Sequence, residues 1–365
     1  MRGSRMFKNT ADVVVVGGGV RGLAVAFGLA RAGLDVVVVE ERFIASSASG
    51  LNMGYINVSA KRPEYYTILS KMSSDMYPEF NAELGGGFEY ERMGSLDIAE
   101  TDDAFRALAR SVEERNKVPG IDMRMLDAAE ARTLEPALSP RIKGARWCPV
   151  DGSVHPLKLA RALMKAAVDR GAVVRCGEKV LDIRVSSGRV EAVETSAGSI
   201  STRVVVNTAG IHTSSVARTV GLKIPVFPER GQIIITEPLP QILKRPVDSY
   251  KQYADGQVLI GASNEDVGED TRVTPEIISR IARTAIRILP VLNRAHVVRC
   301  TAALRPMTPD RLPVYQKIQD IADFYVAVGH SGFTLAPVTA KIFTDLITTG
   351  KTDVDLAPYR YERFA

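Results

Sequence analysis

The sequence predicts an α/β chain in which a Rossmann-like nucleotide-binding unit is interleaved with a strand-rich antiparallel block. Three observations carry that expectation. Val13 to Gly22 reads "VVVVGGGVRG", a β-branched run feeding a glycine-rich turn. Near the other end, "DFYVAVGH" and "TLAPVTAKIFTDLITTG" repeat the order strand, glycine turn, helix. Between them lie short strands separated by Ser-Gly and Ala-Gly turns.

Residues 12–16 read as a buried parallel strand, because a continuous β-branched run suits a strand covered on both faces. From 20 to 32, Leu23, Ala24, Phe27 and Ala30 recur at helical spacing, and Gly33 ends the helix. Residues 35–39 make a second valine strand, closing one βαβ unit. In that context Gly17, Gly19 and Gly22 satisfy G-x-G-x-x-G, and each has a physical task. Gly17 permits the tight turn, Gly19 lets a pyrophosphate approach the backbone, and Gly22 lets helix and strand pack closely. The helix N-terminus supplies N–H donors and partial positive charge for phosphates. Glu40 ends the second strand, 18 residues after Gly22, where a carboxylate accepts hydrogen bonds from an adenosine ribose.

The following elements are expected in order. A polar loop, "RFIASSASGLNMGYINVSA", brings backbone N–H groups towards a phosphate. Residues 63–84 form a helix, and "GGGFEYERMGSLDIAET" a strand pair around a glycine-rich turn. A helix at 103–116 precedes one capped by Asp127. A long helix at 156–170 leads into three or four short strands. That series ends at the buried run 204–206 and the small pair Ala209–Gly210. "GQIIITE" and "GQVLIGAS" are strands, and 275–288 is a helix. The division that results gives a nucleotide unit of 10–84, 150–220 and 300–365, with a substrate block of 85–149 and 221–299.

Composition narrows the function. The 365 residues carry 47 Lys plus Arg against 42 Asp plus Glu, a net charge of +5. The basic residues are dispersed, so no nucleic-acid surface is expected. "MRGSR" reads as an expression-vector leader, and no apolar stretch is long enough for a transmembrane segment. Cys148, Cys176 and Cys300 stand apart and are odd in number, which fits a cytoplasmic chain without a disulfide framework. His155, His212, His296 and His330 show no metal-ligand spacing, so no metal is expected.

The ordered set "VVVVGGGVRG", "VVVVEE", "SSASGLNMG", "VVVNTAG", "ERGQIIITE", "LRPMTPDRLP" and "VAVGHSGFTLAP" resembles, over nearly the whole chain, the D-amino acid oxidase family of FAD-dependent amine oxidoreductases. That family includes glycine and sarcosine oxidases and the FAD-carrying subunits of proline, hydroxyproline and opine dehydrogenases and of hydrogen cyanide synthase. The resemblance implies a glutathione-reductase-like FAD-binding domain interleaved with an antiparallel-sheet substrate domain. It implies non-covalent FAD, since Arg305 stands where sarcosine oxidase has its flavin-bonding cysteine, and Cys300 reads as a core residue. Gly17, Gly19, Val20, Gly22, Glu40 and Glu41 would hold the ADP half. Ser46, Ser47, Asn52 and Met53 would approach the pyrophosphate and ring, with Val180, Ala209 and Gly210 near the adenine and ADP. Gly329, His330, Gly332, Phe333 and Thr334 would close over the flavin, where a helix N-terminus stabilises charge on its N1–C2=O edge.

For substrate, the resemblance assigns Arg305 to the carboxylate of an amino acid, a task that suits a guanidinium fork. Tyr55 and Tyr253, with Tyr250, are expected in the pocket. His330 either lines the ring face or fills the turn. His155 is either a helix cap or the neighbour of a second flavin, FMN, at a subunit interface. The reaction implied is oxidation of an amine C–N bond to an imine by hydride transfer to flavin N5. "LRPMTPDRLP" and "DGSVHPLKLARAL" look closest to the multi-subunit dehydrogenases, which pass electrons to a partner subunit. The alternative is a stand-alone oxidase that uses oxygen and releases hydrogen peroxide. A second arginine that glycine oxidase carries near the last glycine turn is absent here, which argues against glycine as the simple substrate.

Overall fold

A computed structural model describes residues 8–364. At its centre is a six-stranded sheet in the order 314–317, 324–328, 204–207, 13–16, 36–40, 173–176. Its strands run parallel except for the edge hairpin of Val314–Lys317 and Phe324–Val328. The valine runs explain why this sheet is buried on both faces. Val13 and Val15 enter one core with Phe27, Leu159 and Phe343. Val14 and Val16 enter another with Ile183, Val190 and Ile200. Helices Val20–Arg31, Pro156–Asp169 and Ala336–Thr349 therefore cover one face. The antiparallel strands Val180–Ser186, Arg189–Thr195 and Gly198–Ser201 cover the other.

A second layer is antiparallel. Strands Tyr250–Gln252, Gln257–Ile260, Phe227–Pro238 and Val297–Met307 pair in that order. Ser95–Ala99, Gly144–Cys148 and Arg124–Asp127 form a three-stranded sheet beside them. Single bridges from Val247 to Leu96 and to Tyr250 connect the two sheets. Helix Pro275–Ile288 packs behind this layer, and Ile281, Ala285 and Ile288 share a core with Ile234, Tyr250 and Ile260. Asp127 caps its helix as the sequence predicts, in a reciprocal capping box with Glu130.

Two expectations are corrected. The stretch 85–101 contains one strand, not a pair: residues 85–87 take left-handed glycine turns, and only Ser95–Ala99 extends. Its partner is the distant Gly144–Cys148, so the pairing is non-local and invisible in the local pattern. The sequence pattern places residues from 300 onward in the nucleotide unit, but Val297–Met307 is an edge strand of the antiparallel layer, paired along its length with Phe227–Pro238. The leader "MRGSR" lies outside the described residues.

Candidate active site

The glycine turn sits where the first strand, the first helix and the strand Val204–Asn207 converge. Gly17 has φ +106°, and a Cβ there would stand 2.8 Å from the carbonyl oxygen of Thr208, beside Ala209. A Cβ on Gly22 would fall 2.0 Å from the Gly17 carbonyl oxygen. The helix that follows has no side-chain cap from its N-cap residue and no acid in its first turn. Ser49 Oγ accepts the Val20 N–H at 3.0 Å, so Ser49 holds the helix start, while the Ser46 N–H and the Ser47 carbonyl close turns of the same loop. The Gly18 N–H donates to Glu40 Oε2 at 2.8 Å, and Arg42 N–H donates to Oε1 at 2.9 Å. Glu41 faces solvent and pairs with Lys179 at 3.1 Å. Val180 starts its strand two residues after Glu178, whose N–H donates to the Glu40 carbonyl. Gly210 takes φ +59° in the turn beyond Ala209.

The carboxy-terminal turn meets this corner. A Cβ on Gly332 would stand 2.8 Å from the Val20 side chain, and one on Gly329 2.9 Å from Pro313. Phe333 and Thr334 are buried, and Thr334 Oγ1 accepts the Asn57 N–H at 3.0 Å. Asn52 Oδ1 accepts the Gly54 N–H, while Met53 Sδ reaches 3.4 Å from the Cβ position of Gly261 on the antiparallel layer. The crevice between layers thus collects the loop 46–54, the turn 329–334 and the first helix start. These residues fit a dinucleotide: Gly17 and Gly22 let the strand, the helix and the 208–209 turn close tightly around the helix start, whose first turn carries no acid.

Cross-strand register fixes which residues of the antiparallel layer face that crevice. Tyr250, Ile260, Ile234 and Cys300 align across four strands and belong to the core under helix Pro275–Ile288. Tyr250 therefore points away from the crevice, a correction to its expected place in the pocket. Gly231, Ile233, Thr301 and Arg305 fall on the opposite face by alternation. Arg305 lies over Gly231, where a Cβ would be 2.4 Å from its guanidinium. Arg305 Nη1 donates to the Ser263 carbonyl at 2.9 Å and sits 3.5 Å from Glu229 Oε1. Burial works against the charge of Arg305, and Glu229 supports it. Arg311 holds the other Glu229 oxygen at 2.5 Å, which leaves Arg305 with a long, weak ion pair. Thr301 Oγ1 is buried without a partner on the same face.

The other aromatic candidates separate. The Tyr55 hydroxyl is buried with no partner, and burial followed by Asp248 and Asp97 pushes it well above the usual phenol range. Tyr253 stacks on His155, with ring centres 4.4 Å apart, at the outer edge of the layer. His155 also caps helix Pro156–Asp169, and burial lowers its basicity. His330 is half-buried; burial, then Lys61, Arg305, Arg21 and Arg311, holds it well below the ordinary imidazole range. Lys61 and Ser331 beside it were not among the expected site residues. "SAKRPEYY" looks like an ordinary solvated loop before a helix, and nothing in it signals a buried lysine. Among the described residues no cluster of His, Cys, Asp or Glu could hold a metal.

A glycine turn and a free helix start on one wall, with the half-buried Arg305 on the other, define the class: a two-layer oxidoreductase that works with a bound nucleotide cofactor. Residues 12–346 match the family described as DAO, FAD dependent oxidoreductase. The chain is 31% identical to a glycine oxidase of Pseudomonas putida, covering 96% of this chain and 98% of the relative. It is 30% identical to hydrogen cyanide synthase subunit HcnC of Pseudomonas aeruginosa, covering 97% and 96%. The crystal structure of L-proline dehydrogenase from P. horikoshii superposes with a TM-score of 0.91 at 26% identity, over 98% of each chain. The chain belongs to the DAO family of FAD-dependent oxidoreductases.

Proposed function

We propose that this chain oxidises the C–N bond of a carboxylate-bearing amino acid or secondary amine to an imine, as the catalytic subunit of a multi-subunit dehydrogenase. Proline, hydroxyproline, sarcosine and opines define the substrate class. The observation that carries the reading is Arg305. It is anchored by one nitrogen, lies over Gly231, and shares Glu229 with Arg311. A substrate carboxylate is the ligand such a fork reads best. The subunit role is supported by likeness to HcnC over 97% of this chain. A cytoplasmic location belongs to the same reading, supported by three unpaired thiols.

In this reading the FAD is held without a covalent bond. Gly17, Gly19, Val20 and Gly22 cradle the pyrophosphate, assisted by Ser49. Glu40 takes the ribose, and the turn 329–334 covers the ring. When bound, FAD supplies the hydride acceptor at N5 that no side chain can provide. The polypeptide contributes placement: Arg305 fixes the carboxylate so that the α-carbon is presented in one orientation, and the closed crevice excludes water. Tyr55, with its free buried hydroxyl, borders the same space; Tyr253 with His155 lies at its rim, where a partner subunit or FMN would dock. The substrate layer takes residues 85–149 and 221–307, and the remainder forms the nucleotide unit.

Anaerobic addition of glycine, sarcosine, L-proline, D-proline, 4-hydroxy-D-proline and octopine to the purified yellow protein tests this. One of them is expected to bleach the flavin. A yellow protein that none bleaches refutes the assignment of the reductive step to this chain alone. The second reading, a self-sufficient oxidase, is favoured by the 31% identity to glycine oxidase. Stoichiometric hydrogen peroxide in air would establish it over the dehydrogenase.

A further inference from the structure

We propose that Lys61 and Ser331 form a proton relay to His330, switching its Nε2 between donor and acceptor and taking up the proton that a substrate ammonium must lose. This rests on the amine-oxidising reading above. Lys61 is buried, and its Nζ donates to Ser331 Oγ at 2.7 Å. Ser331 Oγ is 3.0 Å from His330 Nδ1. The three groups make one continuous hydrogen-bonded file, and its far end lies within the field of Arg305.

Two features make the file a switch. Among the described residues, Lys61 has no ion pair. The acid that acts on it, Asp151, is already engaged by the Val58 and Ser59 N–H groups at 2.6 and 3.1 Å and by the Ser95 hydroxyl at 2.7 Å. Its other neighbour is the face of Tyr66, 5.7 Å from Nζ, whose buried hydroxyl also bears on Ser331. Burial lowers Lys61 to about 8, with Asp151 opposing. His330 is surrounded by Lys61, Arg305, Arg21 and Arg311 and stays neutral. It can change only its tautomer.

Ser331 has a single hydroxyl proton, which can be given in one direction at a time. When Lys61 is an ammonium, it donates to Ser331, Ser331 donates to His330 Nδ1, and the imidazole proton sits on Nε2. When Lys61 is a neutral amine, Ser331 donates to Lys61, His330 Nδ1–H donates to Ser331, and Nε2 is bare. A substrate ammonium then gives one N–H proton to Nε2. The Nδ1 proton passes to Ser331 and the Ser331 proton to Lys61. The products are a neutral amine, neutral His330 and charged Lys61, so one proton has moved and charge is conserved. The backbone supports the arrangement: Ser331 takes φ +66°, a left-handed conformation where glycine would be easier but would break the file.

The test uses FAD-loaded protein with 15N-labelled histidine. The chain has 4 histidines, so His330 can be assigned by the signal missing in His330→Asn. Without substrate, the wild-type His330 is expected to carry its proton on Nε2 at pH 6.5 and on Nδ1 at pH 9.5. Lys61→Arg should lock the Nε2–H form across that range. Ser331→Ala should abolish the pH dependence while keeping the charge. With substrate, the anaerobic bleaching rate of Lys61→Arg should fall at least tenfold below wild type at pH 9.5. A wild-type tautomer that does not change overturns the relay even if an amine bleaches the flavin. A tautomer that switches while no amine bleaches the flavin removes the substrate ammonium as its proton source, and with it the function assigned above.

Discussion

Gly22→Ala is the sharpest test of the cradle, because two physical effects predict opposite signs. On helix propensity alone, alanine should stabilise a helical position by about 1 kcal/mol over glycine. The structure predicts the reverse. The new Cβ would lie 2.0 Å from the Gly17 carbonyl oxygen and 2.6 Å from Thr208 Oγ1. Ordinary contact needs about 1.2 Å more than the first of these, since carbon and oxygen rarely approach below ~3.2 Å. Neither obstacle can yield freely. The Gly17 N–H is bonded to the Val39 carbonyl at 2.8 Å, and the Thr208 hydroxyl donates to the Val16 carbonyl at 2.7 Å. The helix must therefore shift as a body, against packing that includes Phe27 and Phe343. Overpacking of this kind costs ~1–3 kcal/mol. In a chain of this size that corresponds to about 1–4 °C in melting temperature. The shift also displaces the N–H groups that would meet the phosphates, so flavin content should fall far more than stability. Thermal melts with flavin quantified on the folded fraction measure both. A Gly22→Ala protein that melts at or above wild type with full flavin refutes the close-approach argument.

Three further outcomes are expected. Arg305→Met should weaken binding of a carboxylate ligand by at least 30-fold, about 2 kcal/mol for a charge-assisted pair, without lowering flavin content; a spectral titration with a non-oxidisable amino-acid analogue reads this. Asp248 is pushed up to about 7 by burial and then by Asp97. A raised acid favours the folded state when protonated, so stability should decline as pH rises from about 4 through 7. Asp248→Asn should flatten that decline by up to about 4 kcal/mol, as seen in melts from pH 4 to 8. Arg245→Ala should cost ~3–5 kcal/mol, because Glu135 is fully buried and bonded to Arg245 Nε at 2.9 Å. Urea unfolding of Arg245→Ala and Arg245→Ala/Glu135→Gln should show the second change recovering much of the loss.

The nucleotide layer was legible because its signals are local. A β-branched run, a glycine turn and a helical period lie within one stretch, and Val13–Val16, Val20–Arg31 and Pro156–Asp169 fall where the pattern places them. The antiparallel layer was legible only in part. Ser95–Ala99 finds its partner at Gly144–Cys148, and Val297–Met307 finds Phe227–Pro238. Such pairing depends on register across long separations, which no local period encodes. The same holds for side-chain direction. Tyr250 and Arg305 are both on strands of that layer, and only the register shows that one faces the helix and the other the crevice. Lys61 is hidden for a related reason: the partner of its ammonium, Ser331, is 270 residues away.

The passage of the chain back and forth between the two layers has a consequence for how this enzyme can change. The parallel sheet draws its strands from both ends and the middle of the sequence, and the antiparallel layer fills the gaps. No single cut yields either layer as a continuous piece. A new substrate preference therefore cannot be grafted by exchanging a module, as it can where domains follow one another like beads. It must arise one side chain at a time on a layer that is still closing the cofactor crevice. Each such change is screened at once for folding and for chemistry.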